Sequence, residues 1–421
     1  MKDSGIEWIG EIPEDWDVGP VKYFYTIQTG FTPLTQNEKY YDENGAIWVT
    51  IADITQCNKY IVDSKSKISN FYLEQYSPKE TPVGSLLYSF KLSIGVTAFA
   101  GVPLYTNEAI ASFINTEFVN LGFLYYSSFL ILYNANTNIY GAKLLNQELI
   151  KNALIVFPPI AEQQRIADYL DKKCAAVDRL MENQRLQIEK LKEYKQSLIT
   201  EVVTKGLDKT VPLKSSGVEW VGDIPEGWKV CRIKDLFELR NERNYEELSK
   251  VNLISLYTEL GVMQHADIEE TTGNKAVKAE GYKLVYKNDI VVNIILCWMG
   301  AVGKSNYNGV TRPAYDVYKP NSKARSNYYH YLFRTAQFNG ECYRYGRGIM
   351  MMRWRTYSSE FRAISVPCPP LSEQQQIAEY LDKKCAEIDE LISIKQQKIE
   401  KLTEYKKSLI YEYVTGKKEV G

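Results

Sequence analysis

Histidine is nearly missing from this chain. Two occur in 421 residues, His265 and His330, both in the second half. The seven cysteines are scattered without a CxxC pair, so zinc-ligand spacing is absent and a reduced, cytoplasmic protein is expected. The opening "MKDSGIEWIG" lacks the basic and apolar regions of a signal peptide. Long hydrophobic runs are lacking too. The longest, "LGFLYYSSFLILY" at 121–133, is too short and too polar to span a bilayer, reads as a buried helix, and points to no membrane partner. No arginine occurs before Arg165. A net charge of −1 argues against a wholly basic nucleic-acid coat but leaves room for a local basic face.

What the chain does have is itself, twice. "EQQRIADYLDKKCAAVDRL" at 162–180 returns as "EQQQIAEYLDKKCAEIDEL" at 373–391, and "SGIEWIGEIPEDWDV" from Ser4 returns as "SGVEWVGDIPEGWKV" from Ser216. "FPPIAEQQ" from Phe157 is matched by "CPPLSEQQ" from Cys368. Each half therefore holds a Trp-rich opening, a variable block, a Pro-Pro stop and a helix. The polar link 205–217, "KGLDKTVPLKSSG", joins the halves. A chain of this length exceeds one ordinary core, which agrees with more than one domain. The expected divisions are 1–157 and 218–368 for the variable domains, 158–205 and 369–415 for the helices, 206–217 for the link and 416–421 for a tail.

The variable blocks match each other weakly. Short β-like runs ("AIWVTIAD" at 46–53, "SLLYSF" at 85–90, "AIASFI" at 109–114, "VNLISLY" at 251–257, "NDIVVNIIL" at 288–296) are punctuated by Gly and Pro. A helical run follows in each block (119–132; 326–338). Both read as mixed α/β domains.

The repeated helices carry a narrow apolar stripe. One row is Leu170, Val177, Gln184, Leu191 and Leu198, and its companion is Cys174, Met181, Ile188, Lys195 and Val202. The second helix repeats both rows from Leu381 and Cys385. Three- and four-residue steps of this kind make a coiled-coil seam; helices that merely cap their own domains are the alternative. From 158 to 205, 29 of 48 positions are identical to the second copy, while 181–187 matches nowhere. The matching positions include Gln163, Gln164, Asp171, Lys172, Glu189 and Lys190, with counterparts Gln374, Gln375, Asp382, Lys383, Glu400 and Lys401. We expect these to be exposed and to present one surface twice, to two copies of one partner; plain helix solubility is the competing reading.

These motifs, twice and in this order, closely resemble the specificity subunits of Type I restriction–modification systems, over essentially the whole chain. The resemblance implies an α/β fold: two mixed α/β target recognition domains separated by two long helices in an antiparallel coiled coil, with an internal pseudo-two-fold repeat. It implies that each domain reads half of a split sequence in double-stranded DNA. The coiled coil would dock two methyltransferase subunits, with two motor-nuclease subunits joining for restriction. S-adenosylmethionine, ATP and magnesium are then expected only in those partners, with no cofactor or metal in this chain.

The residues agree that catalysis lies elsewhere. "MGAVGKS" at 299–305 has Trp298 where a P-loop needs glycine, so a tight turn after a strand is expected. "FPP" and "CPP" lack the leading Asn of the adenine-methyltransferase tetrapeptide. A self-sufficient enzyme or a structural linker are the competing classes. DNA contact is better supported. Between 322 and 362, eight Lys/Arg face two Glu, and "YRYGRGIMMMRWR" at 343–355 interleaves arginine with aromatics. Arginine grips phosphate or guanine. The candidates in the second block are Arg312, Lys323, Arg325, Arg344, Arg347, Arg353 and Arg355. The first block, without arginine, offers Lys91, Asn107, Asn138, Tyr140 and Lys143.

Overall fold

The computed structural model describes the chain except residues 92, 117–118, 138–140, 142, 268–278, 349–353 and 421. It divides into two compact units, 1–184 with 397–421, and 185–396. Each unit joins one variable block to part of both long helices.

In the first unit, a sheet runs in the order Thr26–Thr29, Ile110–Ile114, Leu86–Ser89, Thr97–Ala100, Tyr60–Ile61. The first three neighbouring pairs are antiparallel and the last is parallel. In the second unit the order is Phe237–Leu239, Tyr315–Pro320, Ile290–Asn293, Val302–Lys304, all antiparallel. Four strands thus share one order in two blocks whose sequences barely match. The central strands are short and buried on both faces (Leu86–Ser89; Ile290–Asn293). Continuous apolar runs, rather than alternation, are what such strands need.

Each block is closed by pairing an early strand with its last: Asp17–Pro20 with Leu154–Phe157, and Lys229–Arg232 with Ser365–Cys368. Two prolines then end the strand, since proline lacks the ladder's donor, and a long helix begins (Ile160–Lys205; Leu371–Val414). The expected helical runs appear as Leu121–Ser127 continuing into a 3-10 turn, and as Ser326–Leu332 followed by Ala336–Tyr345. Gly300 turns the chain at φ +90° between the 3-10 turn Cys297–Met299 and the strand Val302–Lys304, so Gly303 and Lys304 lie in a strand. No helix among the described residues is long and apolar enough to cross a membrane.

Both cores include helix segments from both repeats. Ile166, Leu170 and Cys174 join Leu409, Tyr413 and Val414 in the first core; Leu198, Val202 and Val203 join Ile377, Leu381 and Ile388 in the second. Along these segments the pairings run in opposite senses. Tyr169 meets Tyr413 at 3.1 Å, Lys406 reaches Asp178 at 2.7 Å, and Thr403 touches Met181 at 3.5 Å. In the second unit Lys195 reaches Asp389 at 2.6 Å and Lys395 reaches Gln187 at 2.5 Å. Aliphatic burial every three to four residues, with these ion pairs at its margin, holds the segments together.

Candidate nucleic-acid interface

The helix N-termini correct one expectation. Gln163 and Gln374 were expected on the surface, but both are buried. The Gln163 amide accepts from the Asn120 backbone N–H at 2.8 Å and donates to the Pro158 carbonyl at 2.8 Å. Gln374 accepts from the Arg325 N–H at 2.8 Å and donates to the Pro369 and Lys323 carbonyls. The physical reason is that a helix starting against its own domain leaves backbone groups without partners, and a side-chain amide with both a donor and an acceptor satisfies them. The next residues add to the seat: Trp16 donates to Glu162 at 3.2 Å, and Trp228 to Glu373 at 2.8 Å.

About two turns further on, Asp171 accepts from the Tyr126 hydroxyl at 2.5 Å and pairs with Lys59 at 2.6 Å. Asp382 accepts from the Tyr331 hydroxyl at 2.7 Å. Burial, then the bond to its aspartate, pushes each of these phenols well above the usual range. Both aspartates are exposed at the residue level yet already engaged within their own unit. Lys172, Lys383, Glu189, Lys190, Glu400 and Lys401 are exposed, as are Gln164 and Gln375. Glu189 pairs with Lys192 at 3.2 Å, Gln164 bonds Asn120 and Asp168, and Gln375 bonds Glu379. Signals for the seat were in the sequence: Trp16, Trp228, Glu162 and Glu373 all belong to repeated motifs.

The second block gathers three of its arginines. Backbone bonds of 2.8 and 2.9 Å link Arg347 and Arg355. Beside them Tyr343 stacks on Trp354 at 4.9 Å, and the Trp354 indole donates to the Tyr343 carbonyl. Gly346 lies where a Cβ would fall 2.3 Å from that indole, so only glycine fits. Arg344 forms a two-pronged bond to Glu341, and Arg347 pairs with Glu360 at 2.8 Å. The two glutamates are about nine-tenths buried, whereas the Arg344 and Arg347 side chains are 61% and 75% exposed. Buried carboxylates thus hold exposed guanidiniums in place. Arg355 Nε is buried without a hydrogen-bond partner. Arg353 lies outside the described residues.

The remaining candidates are dispersed. Lys323 and Arg325 are exposed but belong to the turn seated on Gln374. Arg312 lines a separate polar cavity of about 70 Å³ with Ser255, Tyr257, His265 and Tyr315. In the first block, Lys91 pairs with Glu108 at 3.4 Å, and the Asn107 side chain accepts from Ala109 N–H at 3.1 Å. Lys143 is exposed in a two-stranded ladder, Lys143–Leu144 against Asn136–Thr137. Asn138 and Tyr140 lie outside the described residues. Arg334, counted in the basic stretch, is a structural residue: it donates to the carbonyls of Val302, Thr258 and Glu259.

Comparison with known proteins decides the family. The family model for the Type I restriction modification DNA specificity domain matches twice, at residues 13–190 and 225–404. The chain belongs to the Type I restriction–modification specificity subunits. It carries two DNA specificity domains. The "Putative type I restriction enzyme MjaX specificity subunit" of Methanocaldococcus jannaschii is 24% identical over 97% of this chain and 95% of its own length. The MjaIX specificity subunit of the same organism is 29% identical over 56% of this chain, which spans 55%, about half, of that relative. Among solved structures, a chain from work on the "structural basis underlying complex assembly and conformational transition of the type I R-M system" superposes with TM-score 0.71 at 14% identity, covering 96% of this chain and 98% of its own. The HsdS subunit of Thermoanaerobacter tengcongensis superposes with TM-score 0.56 at 15% identity, covering 99% and 100%. These two likenesses are of fold. In this specificity subunit the match boundaries place the arginine cluster in the second DNA specificity domain and the arginine-free variable block in the first.

Proposed function

We propose that this subunit is a DNA-reading scaffold: each variable domain reads one half of a bipartite target, and the long helices form an antiparallel coiled coil that sets the distance between halves. The coiled coil docks two methyltransferase subunits, and two motor-nuclease subunits join for restriction. Adenine N6 methylation and ATP-driven cleavage, with S-adenosylmethionine, ATP and magnesium, belong to those partners. Residues 1–157 and 218–368 act as the recognition domains.

The observation that carries this reading is one frame built twice around unlike surfaces. Strand order, the glutamine seat and the tyrosine–aspartate bond repeat, while the arginine cluster of the second block has no arginine counterpart in the first. A frame that repeats positions two readers alike; surfaces that differ let them read different sequences. Phosphate contacts position a reader, and base-edge contacts give it sequence. The deciding experiment is selection of bound sequences from a random DNA pool by the chain together with its methyltransferase subunit. A consensus of two short blocks at fixed spacing is expected. One continuous block, or no enrichment, would overturn the reading, and catalysis by the purified chain alone would restore an enzyme.

A further inference from the structure

The two variable blocks come into step at the surface that carries the arginine cluster. The helices Gln147–Asn152 and Ser358–Ala363 are of equal length, as are the closing strands Leu154–Phe157 and Ser365–Cys368, and each second copy begins 211 positions after the first (147 to 358, 154 to 365). The same offset carries the ladder pair Asn136 and Leu144 onto the bridge between Arg347 and Arg355. It also carries the bond that caps the preceding helical stretch, from Ala135 N–H to the Leu132 carbonyl at 3.2 Å, onto that from Gly346 N–H to the Tyr343 carbonyl at 3.1 Å. Both blocks build one antiparallel pairing at one place in the frame. Only the side chains displayed on it differ.

Those side chains have been exchanged as a set. Asn136 stands where the second block has Arg347, and Leu144 where it has Arg355. Glu360, the carboxylate that holds Arg347, has Leu149 as its counterpart on the matching helix. The arginine and its anchor are present together or absent together. In the first block Asn136 and Leu144 are both exposed, Leu144 by 51%. They lie directly opposite each other in the ladder, so their side chains stand on one side of it. An amide beside a branched apolar group carries no charge with which to grip phosphate. It does match an A·T pair seen from the major groove. Adenine offers N7 and its N6 amino group to an amide, and thymine offers its 5-methyl group to an apolar side chain.

We propose that Asn136 and Leu144 are specificity-determining residues of the first domain and read A·T pairs, Asn136 through adenine and Leu144 through the thymine methyl group. The inference rests on the reading that each variable domain recognises one half-site. It adds where the first domain does so and which base pairs it takes. Lys143, exposed across the ladder from Thr137, supplies a positive charge for the DNA backbone beside them. One surface thus serves both domains, with guanidiniums in the second and an amide and an apolar group in the first.

Selection from a random DNA pool by the chain assembled with the methyltransferase subunit of its own system tests this. The unaltered complex should yield two blocks. Asn136→Ala and Leu144→Ala should each relax an A·T position, both in the same block, and leave the other block as it was. Asn136→Ala should weaken binding to the original site about 5- to 150-fold. Asn136→Arg should exchange adenine for guanine at its position. Both side chains are exposed, so these changes leave the core alone. A change in the DNA gives a readout that needs no variant to fold. Uracil for thymine throughout the affected block removes the methyl groups, and the loss on the methyl that Leu144 contacts should be about 4-fold. The Leu144→Ala complex should be spared that part of the loss. A variant that keeps the original consensus, or relaxes both blocks, overturns the assignment of its residue. Equal losses on uracil for the unaltered and Leu144→Ala complexes overturn it for Leu144. In those cases the two-block consensus of the unaltered complex still upholds the scaffold reading. An unaltered complex that selects no two-block consensus overturns that reading, and this assignment with it.

Discussion

Tyr411 donates its hydroxyl hydrogen to the backbone carbonyl of Trp8 across 2.9 Å, joining residues 403 apart in the chain. Lys417 reaches the Glu11 carbonyl nearby. Gly416, at φ +70°, packs on Pro13 and Trp16, just as Gly206, at φ +75°, packs on Pro225 and Trp228. In the second unit the helix end and the Trp-rich opening are linked by chain; in the first they meet without a covalent link. Residues 411–417 therefore meet residues 8–16 within the first unit. Joining Gly421 to Met1 and opening the chain within 205–217 should preserve folding and binding of the methyltransferase subunit. A permuted protein that is insoluble, or that no longer binds, would count against this.

The helix seats should matter for stability more than their polarity suggests. Gln163→Ala strands the partly buried N–H of Asn120 and a buried carbonyl at Pro158, and Gln374→Ala does the same at Arg325 and Pro369. Each unsatisfied group costs about 1–3 kcal/mol, so either substitution should cost about 2–4 kcal/mol. Tyr126→Phe and Tyr331→Phe remove one hydroxyl from a partly exposed aspartate, at a cost of about 1 kcal/mol each. Urea unfolding of the single variants measures both. If glutamine removal costs no more than tyrosine hydroxyl removal, the seat is not as satisfied as it looks.

How much of this was legible in the sequence depended on the range of the contacts. The long helices were, because a seven-residue rhythm is local. So were many of the short apolar strands, such as Leu86–Ser89, but not their shared order, which is fixed by pairings far apart in the chain. Gln163 shows the limit best. Its identity in both copies was visible, but a repeated polar residue fits a shared partner or a shared seat equally well. Helical periodicity carries no information about a first turn docking on its own domain's backbone. The arginine cluster was visible as composition; that Glu341 and Glu360 hold two of its members, and that Arg334 belongs to the scaffold, required the fold.

Acid should weaken the second unit in a way traceable to one residue. Burial, with Arg334 and Lys304 close by, holds His330 down to about 3, and its Nδ1 accepts from the Lys304 N–H at 3.2 Å. The unfolded chain takes up this proton near pH 6.5 while the folded chain does not. The stability is therefore fully present above about pH 6.5 and is lost as pH falls toward 3, by about 1.4 kcal/mol per unit, or about 2 kcal/mol at pH 5. His330→Gln keeps an acceptor for Lys304 and removes the titration. Thermal melts between pH 7 and 5 should show a shallower decline for the variant; an unchanged slope would dismiss His330 as the cause.

Arg344, Arg347 and Arg355 should serve only the second half-site. Replacing a base-reading arginine with alanine should relax one DNA position at a cost of about 1–3 kcal/mol. Replacing a phosphate-binding one should weaken all sequences and lower the salt slope by about one. Glu341→Gln and Glu360→Gln test the anchoring by the buried carboxylates: with Arg344 or Arg347 released, binding should weaken although net charge becomes more positive. Unchanged affinity and salt dependence in all three alanine variants would exclude this cluster from the DNA face.

The helices should act as a ruler between half-sites. They run 46 and 44 residues, about 69 and 66 Å at 1.5 Å per residue. Their opposed pairings, Asp178 with Lys406 and Lys195 with Asp389, keep one register in both units. Readers that bind two half-sites place them near one DNA turn apart, about 34 Å, so that both face the same side. Inserting seven residues at equivalent places, after Leu186 and after Gln397, keeps the seam in phase and adds about 10.5 Å of helix. At about 3.4 Å per base pair the preferred spacer should lengthen by up to about three base pairs. Three is the ceiling, reached if the coil lies parallel to the DNA axis. The half-site sequences should stay as they are, because the variable blocks and their seats on Gln163 and Gln374 are untouched. Methylation of a library of spacer lengths by the assembled complex reads the outcome directly. An assembled, active complex that keeps its original spacer would show that the distance between half-sites is set by something other than the length of these helices.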